Sequence, residues 1–357
     1  MQVFSETQAL VRRMALVAAS FFCLFLASCG SSNSPTPPPP PLGHLYTVTS
    51  NVTYGYSIAA SNGNLQVLNV SGGLPGVGKY ITSNGQYVYV LNGNGLITAY
   101  KINSDFTLSQ IAGSPFSGAP NNVAFISVDP AGKYLFVPVP SDSAVLPYTI
   151  DATSGALTIG AEATTPATPL AATVDPQEKF VYVPMDAAGT QLFQLNGGTL
   201  VSVKTIPTLT VGKSEFVAIT PDNKFAYIAD GVAGVAAYSI NTATGDLTAI
   251  SDKAYAAGPG PSYVAITPNG KYLYAANVAA VVPFVINSDG SLNPNGNPIT
   301  VGEPPLQLAI DPTGSFLYGV TVNSNLVSTF HIDSSGFLAA QAASSVPAVP
   351  NSIVTTH

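Results

Sequence analysis

The feature that most constrains this chain is a phrase it repeats. It reads "TSNGQYVYV" at 82–90, "DPAGKYLFV" at 129–137, "DPQEKFVYV" at 175–183, "TPDNKFAYI" at 220–228, "TPNGKYLYA" at 267–275 and "DPTGSFLYG" at 311–319, with a truncated copy, "HLYTV", at 44–48. The second aromatic falls at Tyr46, Tyr89, Phe136, Tyr182, Tyr227, Tyr274 and Tyr318, at separations of 43, 47, 46, 45, 47 and 44 residues. A steady period in this range is the mark of a propeller or another repeat array, because each unit buries its apolar face only against the next copy.

Within one period every signal is β. In 261–303, "SYVAIT" is a short apolar strand, "PNGK" a tight turn, "YLYAAN" a second strand and "VVPFVIN" a third. "SDGSL" is a hairpin signal before an outer segment ending in "PITVG", and the same position holds "DATSGAL" (151–157), "NTATGDL" (241–247) and "DSSGFL" (333–338). Four short antiparallel strands make one propeller blade. A parallel β-helix would use shorter coils.

The two ends complete the count. Nothing like "SYVAIT" precedes "HLYTV", whereas "VPNSIVTTH" (349–357) matches "GPSYVAITP" and then stops. Residues 351–356 are therefore expected to form the innermost strand of blade 1, beside 44–49. The expected fold is an all-β, seven-bladed β-propeller of four-stranded antiparallel blades over residues 44–357, with blade 1 built from 44–75 plus 349–357. The tail then covers strand edges that would otherwise invite aggregation.

The first 28 residues read as an export signal. Arg12 and Arg13 precede an apolar stretch, Met14 to Leu26, that is too short for a durable membrane anchor. It ends in "LASCG", an order that resembles the lipobox of bacterial lipoproteins, in which the cysteine is diacylated and becomes the first residue; Cys29 is the expected lipidation site. The segment 29–43 is rich in serine and proline and reads as a stiff stalk. Gly30 is not the aspartate of an inner-membrane retention signal, so the outer membrane, facing the periplasm or the surface, is the expected address. Cys23 lies in the discarded segment, which leaves no thiol for a disulfide, a metal or a nucleophile in the folded domain.

Both arginines belong to the signal, so residues 29–357 carry 11 − 2 = 9 lysines and no arginine against 18 − 1 = 17 acidic residues, a formal charge near −8. Nucleic acid is a poor partner for such a surface. Hydrophobic residues make up 46% and charged residues only 8%, the pattern of strands buried on both faces.

With the repeats in view, the chain resembles the seven-bladed lactonase-type propellers, also described as having YVTN-like repeats. The carrying residues are "PSYVAITPNGKYLYAANVAAVVPFVINSDGSL" (261–292) and its relatives at 213–247 and 305–338. The resemblance implies a propeller over the whole exported domain. It also implies kinship with 6-phosphogluconolactonases, a muconate cycloisomerase and many members without an assigned reaction. In the enzymes of that family, charged side chains around the central channel, arginine and histidine among them, are expected to act. Lysine could supply the charge here but not the bidentate fork that grips phosphate.

Strand order locates a candidate face. If the first strand of each blade lines the channel, the loops leading into it share one rim with the loops joining the second and third strands. The first set contributes Lys79, Asn121, Asn122, Lys213, Ser214, Glu215, Gln307 and Asn351; the second contributes Asn92, Asp142, Asp186, Asp230, Asn277 and Asn323. Amides and carboxylates of this kind suit a sugar, a peptide or a hard cation such as Ca²⁺, and equally suit loop turns closed by Asx hydrogen bonds. Glu215 could act as general base toward a lactone carbonyl, with Lys213 steadying the oxyanion; an ordinary loop ion pair is the competing reading.

His331 sits in a third strand, while His44 and His357 are expected to meet at the face opposite the rim. Asp129, Asp175 and Asp311 before proline read as turn-formers. No Ser/His/Asp pattern, zinc spacing or phosphate loop appears. The expectation is a lipid-tethered, monomeric binding or scaffold propeller for a small molecule, glycan or protein, without a bound cofactor unless Ca²⁺ is taken up. Rival readings are an extracytoplasmic lactone hydrolase and a purely structural envelope protein.

Overall fold

The computed structural model describes residues 39–357 apart from 73, 75, 76, 119, 121, 210, 211, 302–304 and 322. Cys29, Asn121, the signal segment and nearly all of the stalk lie outside the described residues.

Seven separate antiparallel sheets follow one another along the chain, each of four strands in radial order, and three of them carry an extra two-residue strand on the third. The innermost strands are Ser352–Thr356, Gly78–Ser83, Ser127–Val128, Thr173–Val174, Ser214–Ile219, Tyr263–Ile266 and Pro305–Ile310, for blades 1 to 7. Blade 1 is closed as the repeat count requires: its second strand, His44–Val48, pairs with Ser352–Thr356, from His44 opposite Thr356 to Val48 opposite Ser352. The last strand of the chain thus completes the first sheet.

The second strands explain the apolar composition. Tyr87–Asn92 and Phe180–Pro184 are buried along their whole length, because each blade packs a face against both neighbours. The buried side chains fall into seven clusters, each shared by two consecutive blades, and one of them joins Tyr318 and Val320 of blade 7 to Leu45 and Tyr56 of blade 1. The core is therefore a ring of interfaces rather than a single centre.

The repeated residues prove to be fastenings between and within blades. The second aromatic donates its phenol to a carbonyl in the hairpin of the following blade: Tyr46 to Phe106 at 3.0 Å, Tyr89 to Gly155 at 3.0 Å, Tyr182 to Gly245 at 2.8 Å, Tyr227 to Gly290 at 2.9 Å and Tyr274 to Gly336 at 2.9 Å. Phe136 fills the position in blade 3 without a hydroxyl. The hairpin glycine is required on two grounds, as Gly245 illustrates: its φ is +76°, and a Cβ there would stand 2.6 Å from the Phe180 ring of the preceding blade. In blade 2 the position is Phe106, at φ +62°, and the ring it meets is that of His44, stacked at 3.5 Å.

The aspartates before proline close turns, as expected. The buried Asp175 carboxylate accepts the N–H groups of Lys179 and Phe180, each at 2.7 Å, and the Asn223 amide of the next blade at 2.7 Å. Thr220 and Thr267 do the same work with hydroxyls, accepting Phe225 and Tyr272 N–H at 3.1 Å.

Candidate functional site

A strand that alternates strictly sends consecutive side chains to opposite faces. Three innermost strands break that rule. In blade 2 the register jumps between Gly78, paired with Asn92, and Tyr80, paired with Leu91; in blade 5 between Ser214, paired with Asp230, and Phe216, paired with Ala229; in blade 7 between Pro305, paired with Thr321, and Gln307, paired with Val320. In blades 2 and 5 the extra residues are Lys79 and Glu215. A bulge of this kind re-aims a side chain, and both residues line the mouth of the central channel together with the aromatic residue that follows each of them.

The mouth is a cavity of about 500 Å³ to which every blade contributes. Its upper wall carries Lys79, Ala124, Leu170, Glu215, Ser262 and Asn351. One residue further along stand Tyr80, Phe125, Ala171, Phe216 and Tyr263, and blade 7 contributes Gln307. Phe125, Phe216, Tyr263 and Gln307 also line a second chamber of about 370 Å³ deeper in the channel, so this level is the partition between the two. Centroid separations are 5.6 Å for Tyr80–Phe125, 5.6 Å for Phe125–Phe216 and 4.0 Å for Phe216–Tyr263. The small Ala171 of blade 4 is what lets the rings of blades 3 and 5 meet.

The other side of the partition is polar. Gln307 Oε1 accepts the Ser352 hydroxyl at 2.6 Å and the Ile353 N–H at 3.1 Å. Burial pushes the Tyr263 phenol up to about 12, with the neighbouring Gln307 side chain opposing, so it stays protonated at neutral pH. Ser352 in turn accepts the Ile81 N–H at 3.2 Å, and Asn351 donates to the Gly78 carbonyl at 2.6 Å. The closing strand therefore supplies part of the wall.

Glu215 is the carboxyl of the mouth, and its surroundings alter its chemistry. Burial first, and the nearby Asp186 and Asp230 carboxylates after it, raise its pKa above the ordinary carboxyl range, with Lys213 opposing. It holds its proton more tightly than a surface glutamate.

Of the residues singled out in the sequence, the structure brings Lys79, Glu215, Gln307 and Asn351 to the cavity. Lys213 is turned to an exposed ion pair with Asp186, Nζ to Oδ1 3.1 Å. Asn92 donates to the Leu96 carbonyl at 2.9 Å and to the Thr98 hydroxyl at 3.0 Å; Asp230 accepts the N–H groups of Lys213, Val232 and Ala233; Asn277 accepts those of Ala279 and Ala280 and donates to Ala257 O. These three are buried and hold loops. Ser214 Oγ accepts from Thr190 at 3.2 Å. Asn122, Asp142 and Asn323 are exposed and are not among the residues lining the mouth. Among the described residues no cluster of three metal-ligating side chains occurs.

The four aromatic residues were not foreseen. Their signal was present: Tyr80, Phe125, Phe216 and Tyr263 occupy one position in four copies of the inner strand, where Ala171, Gln307 and Ser352 stand in the other three. An aromatic in a short apolar strand reads as core, and only the closed ring turns that position toward a channel.

The family model described as "Lactonase, 7-bladed beta-propeller" matches residues 40–230 and 181–295. Among solved structures, the chain is similar to a periplasmic gluconolactonase of Pseudomonas aeruginosa, at 19% identity and TM-score 0.74, with 88% of this chain and 99% of that one covered. A protein of Bacteroides uniformis proposed to be a 6-phosphogluconolactonase gives 19% identity and TM-score 0.76 at the same coverage. A protein of Lactobacillus plantarum gives 18% and 0.73, again covering 88% and 99%. At such identities these likenesses speak for the fold.

Proposed function

The chain belongs to the lactonase family of seven-bladed β-propellers, and on that premise we propose that it is a binding module of the bacterial envelope whose channel mouth takes up a small, uncharged, polyhydroxylated molecule. The observation that carries this reading is the charge of the mouth: one lysine, Lys79, and one carboxyl, Glu215, among the residues that line it, in an exported domain without any arginine. A phosphate or a carboxylate ligand would meet no bidentate partner there, whereas hydroxyls find Glu215, Lys79, Ser262 and Asn351. Lipid on Cys29 would tether the domain. The propeller begins at His44, which pairs with Thr356 at the end of the inner strand remote from Asn351 and the mouth.

A second reading, lactone hydrolysis outside the cytoplasm, is favoured by the raised pKa of Glu215 and by the family. Glu215 would take a proton from the attacking water as its oxygen bonds to the lactone carbonyl carbon. Lys79, the cation of the cavity, would face the developing oxyanion, and the proton would pass to the ring oxygen as its bond to that carbon breaks. Calorimetric titration with neutral sugars, beside turnover assays on unphosphorylated and phosphorylated lactones, separates the two. Binding without turnover supports the module; turnover lost in Glu215→Gln supports the hydrolase; neither binding nor turnover removes both.

A further inference from the structure

The partition in the channel has features that a simple plug does not need. Three adjacent ring contacts run through blades 2, 3, 5 and 6, with interplanar angles of 57°, 73° and 25°. The rings differ in tilt, so the floor they make is corrugated rather than flat. Apolar plugging would be served as well by leucine or valine, yet neither stands at this position in any blade. Aromatic residues instead supply a large, rigid contact surface with few rotatable bonds.

The arc is also held in place. Phe216 is stacked on Tyr263, the Tyr263 phenol is influenced by the neighbouring Gln307 side chain, and Gln307 is pinned by Ser352 and by the Ile353 N–H. A ligand arriving from the mouth meets a surface whose side chains are already ordered, so little conformational freedom is lost on contact. The only polar groups of this arc are the Tyr80 and Tyr263 phenols, whereas Lys79, Glu215, Ser262 and Asn351 stand on the wall above it. The cavity is thus graded along its axis, mainly aromatic surface at the bottom and more polar toward the rim.

That division fits one kind of molecule. A saturated six-membered ring with equatorial hydroxyls has an apolar face of C–H groups and a polar edge, and it can lay the face on the floor while the edge meets the wall. An open-chain polyol of the same composition has no persistent apolar face, and must lose several torsional freedoms to present one. A cation caged by rings is the alternative use of four aromatics. Here each ring touches the next at 4.0–5.6 Å, which leaves no gap between them for an ammonium group.

We propose that the arc Tyr80–Phe125–Phe216–Tyr263 is the specificity determinant of the mouth, selecting ligands that present the apolar face of a polyhydroxylated ring over open-chain polyols. The proposal rests on the reading of the mouth as a small-molecule site and goes further by assigning selectivity to residues that bear no charge. These four are positioning residues for the ligand; Glu215 and Lys79 address its hydroxyls.

The test uses the full chain, with methyl glucoside, methyl galactoside and methyl mannoside as cyclic probes and sorbitol, galactitol and mannitol as their open-chain counterparts, read by saturation-transfer NMR and calorimetric titration. The expected result is affinity for at least one glycoside about tenfold above that for its alditol. Saturation should be strongest on the ring protons of one face. Phe125→Leu and Phe216→Leu should each abolish most of that preference, in proteins that keep the wild-type circular dichroism and a cooperative unfolding transition. Equal affinity for rings and alditols in the wild-type protein overturns the proposal and leaves the small-molecule reading standing, and this comparison needs no variant to fold. A ring preference that survives both substitutions also overturns it. Failure of all six probes to bind removes the small-molecule reading itself, and the proposal with it.

Discussion

The phenol of Tyr318, in blade 7, donates a 2.8 Å hydrogen bond to the carbonyl of Gly63, in the hairpin of blade 1, across 255 residues of sequence. It is the same bond that Tyr274 makes to Gly336 over 62 residues. A local fastening repeated around the circle becomes, at the last step, the link between the two ends of the domain. Together with the pairing of His44–Val48 and Ser352–Thr356, it joins the ring on two levels.

Tyr318→Phe removes the donor and leaves the Gly63 carbonyl buried without it. The expected cost is about 1 kcal/mol, seen as a fall of about 2 °C in the unfolding temperature. An unchanged midpoint would show that the bond contributes nothing net.

Deleting residues 349–357 removes the innermost strand of blade 1 and, with it, the Ser352 partner of Gln307 and Ile81. The unfolding temperature is expected to fall by about 10 °C or more. Calorimetry of the truncated chain checks this, and a midpoint equal to the full-length value would contradict the closure energetics.

Gly245→Ala forces a side chain into a left-handed backbone position and against the Phe180 ring. Destabilisation of about 2 kcal/mol is expected, measurable by denaturant titration. The control is Gly197→Ala, which is also left-handed but has open space around the added carbon; it should cost less.

Glu215 binds its proton more tightly in the fold than in the unfolded chain, where the ordinary value is 4.5. Its contribution therefore favours the fold below pH 4.5 and is lost as pH rises through the raised value. Glu215→Gln removes this dependence. The variant should gain stability relative to wild type between pH 4 and pH 7, and unfolding temperatures at the two pH values test it; a constant difference would mean that the carboxyl titrates normally.

Cys29→Ala should release the exported protein from the membrane fraction into the soluble one, with loss of the diacylglyceryl mass from its N-terminal peptide. Retention in the membrane fraction without that mass would count against a lipid tether.

How the chain divides between what could be read and what could not follows the range of the forces involved. The strand order, the tight turns and the hairpin glycines rest on contacts within a few residues. Asp175 and Thr220 reach no more than five positions along the chain to close their turns, so these features repeat in the letters and were legible. Closure was legible for a related reason: a missing inner strand at one end and a surplus strand at the other have only one economical arrangement. The rim amides and carboxylates were ambiguous because Asn92, Asp230 and Asn277 are residues that serve loops and ligands alike, and their buried hydrogen bonds decide for loops.

The amino-acid sequence alone determined the number of blades, their strand order and which loops share one rim of the ring, because all three follow from a period and from short-range turn chemistry. Only the tertiary structure decided that Lys213 turns away to Asp186 while Lys79 and Glu215 turn inward on bulges, and that four aromatic residues meet as a floor. The physical reason is that one extra residue in a strand reverses the direction of a side chain. Rings from four blades can touch only after every blade between them has taken its place around the axis.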